Sequence, residues 1–147
     1  MTRTAVRNFA IILGLLYVSA AATCESDRLK SPPLSTAAVD RIDAANTFSR
    51  RYTQSRFSRW NIRANAAGVD CDVLFINTSV PLEESMIEAM QYGAGAYDIV
   101  DGGVQRFCRD RTFRGVAYRD SSERVWTYGA VSVAEAERMI PCRKSPP

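Results

Sequence analysis

The chain contains no histidine among its 147 residues. That absence excludes serine–histidine–aspartate triads, cysteine–histidine pairs and histidine metal ligands within the chain. The cysteines show neither the C-x-x-C spacing of thioredoxin-like enzymes nor the spacing of a zinc site. The sequence Gly93-Ala94-Gly95 lacks the third glycine of a dinucleotide-binding fingerprint and the Gly-Lys of a phosphate loop. We therefore predict no metal ion and no cofactor.

Long apolar runs are scarce as well, and the clearest is Phe9–Val18 near the N-terminus. That run is shorter than the roughly 20 residues that span a bilayer. Arg3 and Arg7 precede it and small residues follow it at 19–22, which is the arrangement of a secretory signal peptide. We predict a cleaved signal peptide at 1–22 and an exported protein, in the periplasm or outside the cell. A retained membrane anchor is the alternative.

Cys24 permits another interpretation of the N-terminus, because a bacterial lipoprotein is cleaved directly before a cysteine that then carries lipid. Such signals have a larger aliphatic residue three positions before the cysteine and a small residue directly before it. Ala21 and Thr23 occupy these positions here and depart from that pattern. A membrane-anchored lipoprotein therefore remains an alternative to free export.

The four cysteines are an even number in a chain that we expect to be exported. Disulfides persist in oxidising compartments, and each one contributes about 2–4 kcal/mol, mainly by restricting the unfolded chain. Four cysteines allow three pairings, and the sequence does not choose among them. The predicted structural disulfides involve Cys24, Cys71, Cys108 and Cys142.

Periodicity predicts one α+β domain over 35–142, between a linker at 23–34 and a disordered tail at 143–147. Apolar residues near a spacing of 3.6 predict a first helix that begins after the cap residue Ser35. Its expected inward positions are Ala38, Ile42, Ala45, Phe48 and Tyr52.

Alternating apolar residues and turn signals predict two β-hairpins and three further helices. The hairpin strands are expected at Trp60–Ala64 with Cys71–Asn77, and at Phe113–Asp120 with Arg124–Tyr128. The further helices are expected from Pro81 to Gly93, over Val104–Cys108, and from Ser132 to about Ile140. We expect an antiparallel sheet of about four strands with the helices packed on one face.

The most unusual segment is Ser49–Arg63, which carries five arginines and no acidic residue. Aromatic residues lie between these arginines, and such mixtures bind phosphates and stack on rings. We predict an anion-binding surface here. The alternative places the aromatic residues in the core and leaves the arginines as an ordinary solvated face. The candidate residues are Arg50, Arg51, Arg56, Arg59 and Arg63.

Two further sets of residues are candidates for function. Asp98 and Asp101 lie in a glycine-rich loop and are the weak candidates for a catalytic carboxylate pair, with each other or with Asp72 or Asp120. Stabilisation of turns is the alternative role for them. A second aromatic set either lines a carbohydrate or peptide groove or stabilises the sheet. Its members are Tyr92, Tyr97, Tyr118, Trp126 and Tyr128.

Together these observations predict a non-catalytic binding or interaction domain of the bacterial cell envelope or exterior. The expected partner is a protein or an anionic envelope component. The formal net charge of +3 falls to +1 when Arg3 and Arg7 leave with the signal, which argues against nucleic acid. Membrane contact is expected only if Cys24 is lipidated or the signal is retained. The alternative is a small secreted hydrolase that uses a carboxylate pair without histidine.

Overall fold

A computed structural model describes residues 33–54, 58–93 and 103–144. The predicted signal peptide at 1–22, most of the linker at 23–34 and the end of the tail at 143–147 lie outside the described residues. Among the residues that are described, no helix is long and apolar enough to cross a membrane.

The described chain forms four strands and four α-helices, with a short 3-10 turn at Ser58–Trp60. The helices are α1 (Thr36–Thr53), α2 (Glu84–Tyr92), α3 (Val104–Asp110) and α4 (Val133–Ala136). The strands are β1 (Arg63–Ala67), β2 (Val73–Asn77), β3 (Gly115–Arg119) and β4 (Val125–Gly129).

The four strands form one mixed sheet in the order β1-β2-β3-β4. Both predicted hairpins are confirmed, because β1 pairs antiparallel with β2 and β3 pairs antiparallel with β4. The prediction of a purely antiparallel sheet is wrong at the centre, where β2 and β3 run parallel. The chain crosses from β2 to β3 through α2 and α3, and a long crossover of this kind returns the chain in the same direction.

The expectation that the helices cover one face is correct for three of them and wrong for α4. On the face that α1, α2 and α3 cover, Leu74, Ile76 and Tyr118 belong to the main core cluster. On the opposite face, Phe75 and Ala117 belong to a smaller cluster that includes Ala136 of α4. Alternate residues of a strand point to opposite faces, so the apolar run in β2 supplies both cores.

Helix α1 follows the predicted pattern closely. Its buried residues are Ala38, Ile42, Ala45, Phe48 and Tyr52, which are the five predicted inward positions. The Ser35 hydroxyl caps the helix by accepting a hydrogen bond from the Ala38 N–H at 3.1 Å.

The first hairpin differs from the prediction in where its strand begins. Trp60, Ile62 and Ala64 are buried in alternation, as predicted. The extended strand nevertheless begins only at Arg63, because Trp60 closes the 3-10 turn and Asn61 adopts a φ of 48°. Asparagine tolerates this left-handed conformation better than most residues. The left-handed conformation interrupts the extended backbone, so the strand begins after it.

The last helix is shorter than predicted, since α4 ends at Ala136 and not near Ile140. Beyond it the chain returns to β1, where the Cys142 N–H donates a hydrogen bond to the Ala66 carbonyl at 2.8 Å. Cys142 also forms a disulfide with Cys71. Pairing beside a strand requires extended backbone, so the helix cannot continue to Pro141.

Candidate binding surfaces

The β1 edge of the sheet is closed by groups from elsewhere in the chain. The Ser49 hydroxyl accepts a hydrogen bond from the Ala64 N–H at 2.6 Å and donates one to the Ala64 carbonyl at 3.0 Å. The Ala66 carbonyl accepts its hydrogen bond from Cys142. In an antiparallel pair, alternate residues direct their backbone groups away from the partner strand. At β1 both backbone groups of Ala64 and the Ala66 carbonyl are therefore engaged.

The β4 edge, by contrast, presents outward backbone groups that have no partner among the described residues. Asp120 donates its N–H to the Arg124 carbonyl and Ala130 donates its N–H to the Arg114 carbonyl. Trp126 lies opposite Tyr118 and, like Arg124 and Ala130, directs its backbone groups toward β3. The backbone groups of the intervening residues Val125 and Thr127 therefore point away from β3. Within the described ranges, no hydrogen bond reaches those outward groups. No residue of β4 is fully buried.

Aromatic side chains flank this open edge. Trp126 and Tyr128 are half-buried on the face that carries α2, and Tyr92 at the end of α2 is 59 % exposed. A cleft of about 450 Å³ lies at the Gly129 end of β4 and is lined in part by Tyr92 and Tyr128. The open backbone and the aromatic side chains thus lie side by side, and we call them together the β4 surface (Tyr92 and Val125–Gly129).

The predicted aromatic set therefore divides between the core and the surface. Tyr118 is fully buried, and its hydroxyl donates a hydrogen bond to Gln91 Oε1 at 2.8 Å. Burial raises the pKa of Tyr118 well above its ordinary value. The predicted pairing of Tyr118 with Trp126 across the strands is confirmed. Tyr97 lies outside the described residues.

A buried carboxylate holds the turn that leads into β4. Asp120 accepts hydrogen bonds from the Leu82 N–H at 3.0 Å, the Ser122 N–H at 2.9 Å and Arg124 Nη2 at 2.7 Å. Burial alone would raise the pKa of Asp120, but these donors outweigh it and the pKa is lowered. Arg124 also lies over the Trp126 ring, 4.9 Å from its centroid. This contact restrains the Trp126 ring.

Four of the five predicted anion-binding arginines lie at the surface, and the two described aromatic residues between them are buried. Arg50 and Arg51 end α1, Arg59 lies in the 3-10 turn, and all three are exposed. Arg63 begins β1 and is also exposed, whereas Arg56 lies outside the described residues. The intervening aromatic residues Tyr52 and Trp60 are buried in the core. Arg51 lines a cleft of about 500 Å³ that also contains acidic side chains, namely those of Asp40, Asp43 and Asp110.

The candidate catalytic residues Asp98 and Asp101 lie outside the described residues. Asp72, one of the partners considered for them, forms an ion pair with Arg114 at 2.9 Å. Arg114 also pairs with Glu135, and this hydrogen bond lowers the pKa of Glu135. Asp120 is held by Arg124, as described above. Across 33–54, 58–93 and 103–144, no three or more histidine, cysteine, aspartate or glutamate side chains are grouped to hold a metal ion.

Of the four predicted half-cystines, Cys71 and Cys142 form the disulfide. Cys108 was expected to pair too, but it is a free thiol whose side chain faces the core from α3. Burial raises the pKa of this thiol to about 12, so it stays protonated and inert near neutral pH. Cys24 lies outside the described residues.

Sequence reasoning missed Ser49 and the contrast between the two edges. Ser49 lies four residues after Ala45, on the inward stripe of α1, and a polar residue at such a position is a signal of an internal hydrogen bond. The fold and these surfaces define a small mixed α+β domain with one closed and one open sheet edge. Comparisons with protein-family models, curated proteins and solved structures gave no match.

Proposed function

We propose that this protein is an exported, non-catalytic interaction domain of the bacterial cell envelope or exterior. Its β4 surface binds an extended segment of a partner protein as an added strand. The observation that carries this proposal is the contrast between the two edges. On β1 both outward groups of Ala64 and the Ala66 carbonyl are hydrogen-bonded, whereas the outward groups of Val125 and Thr127 have no partner within the described part of the chain.

An exposed strand edge is a template for strand addition. In this mode the backbone hydrogen bonds supply affinity, and side chains on alternate faces supply specificity. β4 offers Trp126 and Tyr128 on one face and Thr127 on the other. Tryptophan and tyrosine are enriched among the residues that dominate binding energy at protein interfaces.

Natural sheets protect their exposed edges with proline, lysine, bulges or covering segments. β4 contains no proline and no charged residue over Val125–Gly129. An edge without such protection is a liability for an isolated molecule, and a partner strand removes the liability. The Cys71–Cys142 disulfide is compatible with an oxidising compartment, which supports the exported part of the proposal.

The test selects a phage-displayed library of random peptides on the disulfide-intact protein and on two variants. Thr127→Pro removes the outward N–H, which the fold does not use, while Thr127→Val keeps it. Peptides that bind the wild type and Thr127→Val but do not bind Thr127→Pro support the proposal. Folding of each variant is checked by circular dichroism.

Amide hydrogen exchange locates the bound peptide. In the free protein we expect fast exchange at Val125 and Thr127 and slow exchange at Trp126 and Tyr128, which bond to β3. A bound peptide should slow the first two. Selected peptides that bind Thr127→Pro equally well, or that leave these amides unprotected, would overturn the proposal.

A further inference from the structure

We propose that the partner strand is supplied by a second copy of this chain, so that two β4 strands pair antiparallel about Thr127 into one continuous eight-stranded sheet. This inference rests on the proposed function of the β4 surface and names its occupant.

The sequence of β4 fits its own antiparallel copy. When two antiparallel copies of this five-residue strand overlap fully, the central residue Thr127 lies opposite Thr127 of the second copy. Trp126 then lies opposite the second copy's Tyr128, and two-fold symmetry makes this pair twice. Val125 lies opposite the second copy's Gly129, which has no side chain to obstruct it.

The positions of these pairs favour contact. Thr127 is an outward position of β4, so between the copies it forms a hydrogen-bonded pair, and threonine pairs of this kind stabilise sheets. Trp126 and Tyr128 bond inward to β3, so between the copies they occupy the non-hydrogen-bonded positions, where side chains approach more closely. Aromatic pairs across strands are among the favourable ones.

Charge is complementary in the same arrangement. Arg124 lies over the Trp126 ring, so the second copy's Arg124 approaches Tyr128 together with that ring. Glu88 and Glu84 lie near Tyr128 and supply negative charge there, which raises the pKa of Tyr128 after the larger effect of burial. The formal net charge of the chain is only +3, and +1 after signal removal, so repulsion between two copies is weak.

Analytical ultracentrifugation of the exported, disulfide-intact protein measures the association. We expect a concentration-dependent dimer. Two charge variants then test the register, because only the centred pairing brings residue 127 against itself. Thr127→Lys and Thr127→Glu should each weaken dimerisation by at least about tenfold, because like charges then face each other across the axis.

An equimolar mixture of Thr127→Lys and Thr127→Glu should restore the dimer as a mixed species, which native mass spectrometry separates by mass. Thr127→Val is the matched uncharged control and should dimerise more strongly than either charge variant. Thr127 is half-buried, so circular dichroism and thermal unfolding of both charge variants check that loss of the dimer is not loss of structure.

Three outcomes would overturn the inference: a wild-type protein that stays monomeric up to about 1 mM, charge variants that dimerise as strongly as the wild type, or a mixture that fails to recover. The peptide selection separates the two proposals. A monomer that still binds peptides along β4 removes the second copy as the occupant but retains the proposed function. A monomer that binds none removes both.

Discussion

The two edges of the sheet are hairpin strands of equal length, and they differ in what lies beyond them. β1 has three buried residues and outward groups that bond to Ser49 and Cys142, whereas β4 has no buried residue and outward groups without described partners. The closed edge depends on residues distant in sequence, on α1 and on the C-terminal segment. The comparison teaches that protection of a sheet edge is here a tertiary property, which β1 has and which β4 lacks over the residues that the structure describes.

The largest expected effect comes from removing the tether that closes β1. Replacing both cysteines of the disulfide (Cys71→Ala with Cys142→Ala) should lower the free energy of unfolding by about 4 kcal/mol, because the bridge closes a loop with a sequence separation of 71. Urea unfolding without reductant measures the loss. Reductant should lower the free energy of unfolding of the wild type to that of the double variant, and it should leave the double variant unchanged. Equal stability of oxidised and reduced wild type would contradict this.

A smaller effect is expected where β4 begins, at the Asp120 site. The pKa of Asp120 is lowered in the folded state. The stability that its charged form contributes is therefore fully present above the pKa of the unfolded state, and it is lost as the pH falls through the pKa of the folded state. Asp120→Asn should cost about 2–3 kcal/mol at neutral pH, and the difference from wild type should shrink near pH 2. Urea unfolding at both pH values measures it. A pH-independent difference would refute the assigned role of the charge.

The third prediction compares the two edges directly with conservative changes. Ser49→Ala removes both hydrogen bonds to Ala64 and should cost about 1–2 kcal/mol. Thr127→Val on β4 should change stability by less than about 0.5 kcal/mol, because no described hydrogen bond is lost. Thermal unfolding of the two variants checks this. Similar losses at both sites would show that the edges do not differ as described.

A small effect on stability is also expected from the arginine segment. Changing Arg50, Arg51, Arg56, Arg59 and Arg63 together to serine should alter the free energy of unfolding by less than about 1 kcal/mol, because exposed charges contribute little. If the segment binds anions as predicted, this variant should elute from a heparin column at lower salt than the wild type. An unchanged elution would dismiss the anion-binding prediction and leave the β4 surface as the candidate site.

Prediction from the sequence succeeded where the signal was local. The five inward residues of α1 follow from a spacing near 3.6, and Gly93, at a φ of 68°, ends α2 as expected. Ser132 caps α4 as predicted, accepting the Glu135 N–H at 3.1 Å. Each of these features depends on residues within a few positions of one another.

Prediction failed where the answer depended on distant parts of the chain. The predicted last helix near Ile140 is replaced by extended backbone, because Cys142 is tied to Cys71 and Ala66. Tyr52 and Trp60 lie in the core, as the helix and strand patterns predict, so they do not join the exposed arginines in a mixed surface. Cys108 stays unpaired because α3 directs it into that core.

By itself, the sequence determined which residues of α1 face inward and where the second hairpin turns, because side-chain periodicity and turn chemistry act over short distances. Only the tertiary structure decided that β2 and β3 run parallel, that Cys71 pairs with Cys142, and that β1 is closed while β4 is open. The physical reason is that a backbone group at a sheet edge bonds to whatever the fold brings beside it. At β1 that neighbour comes from the same chain, and at β4 the described chain brings none.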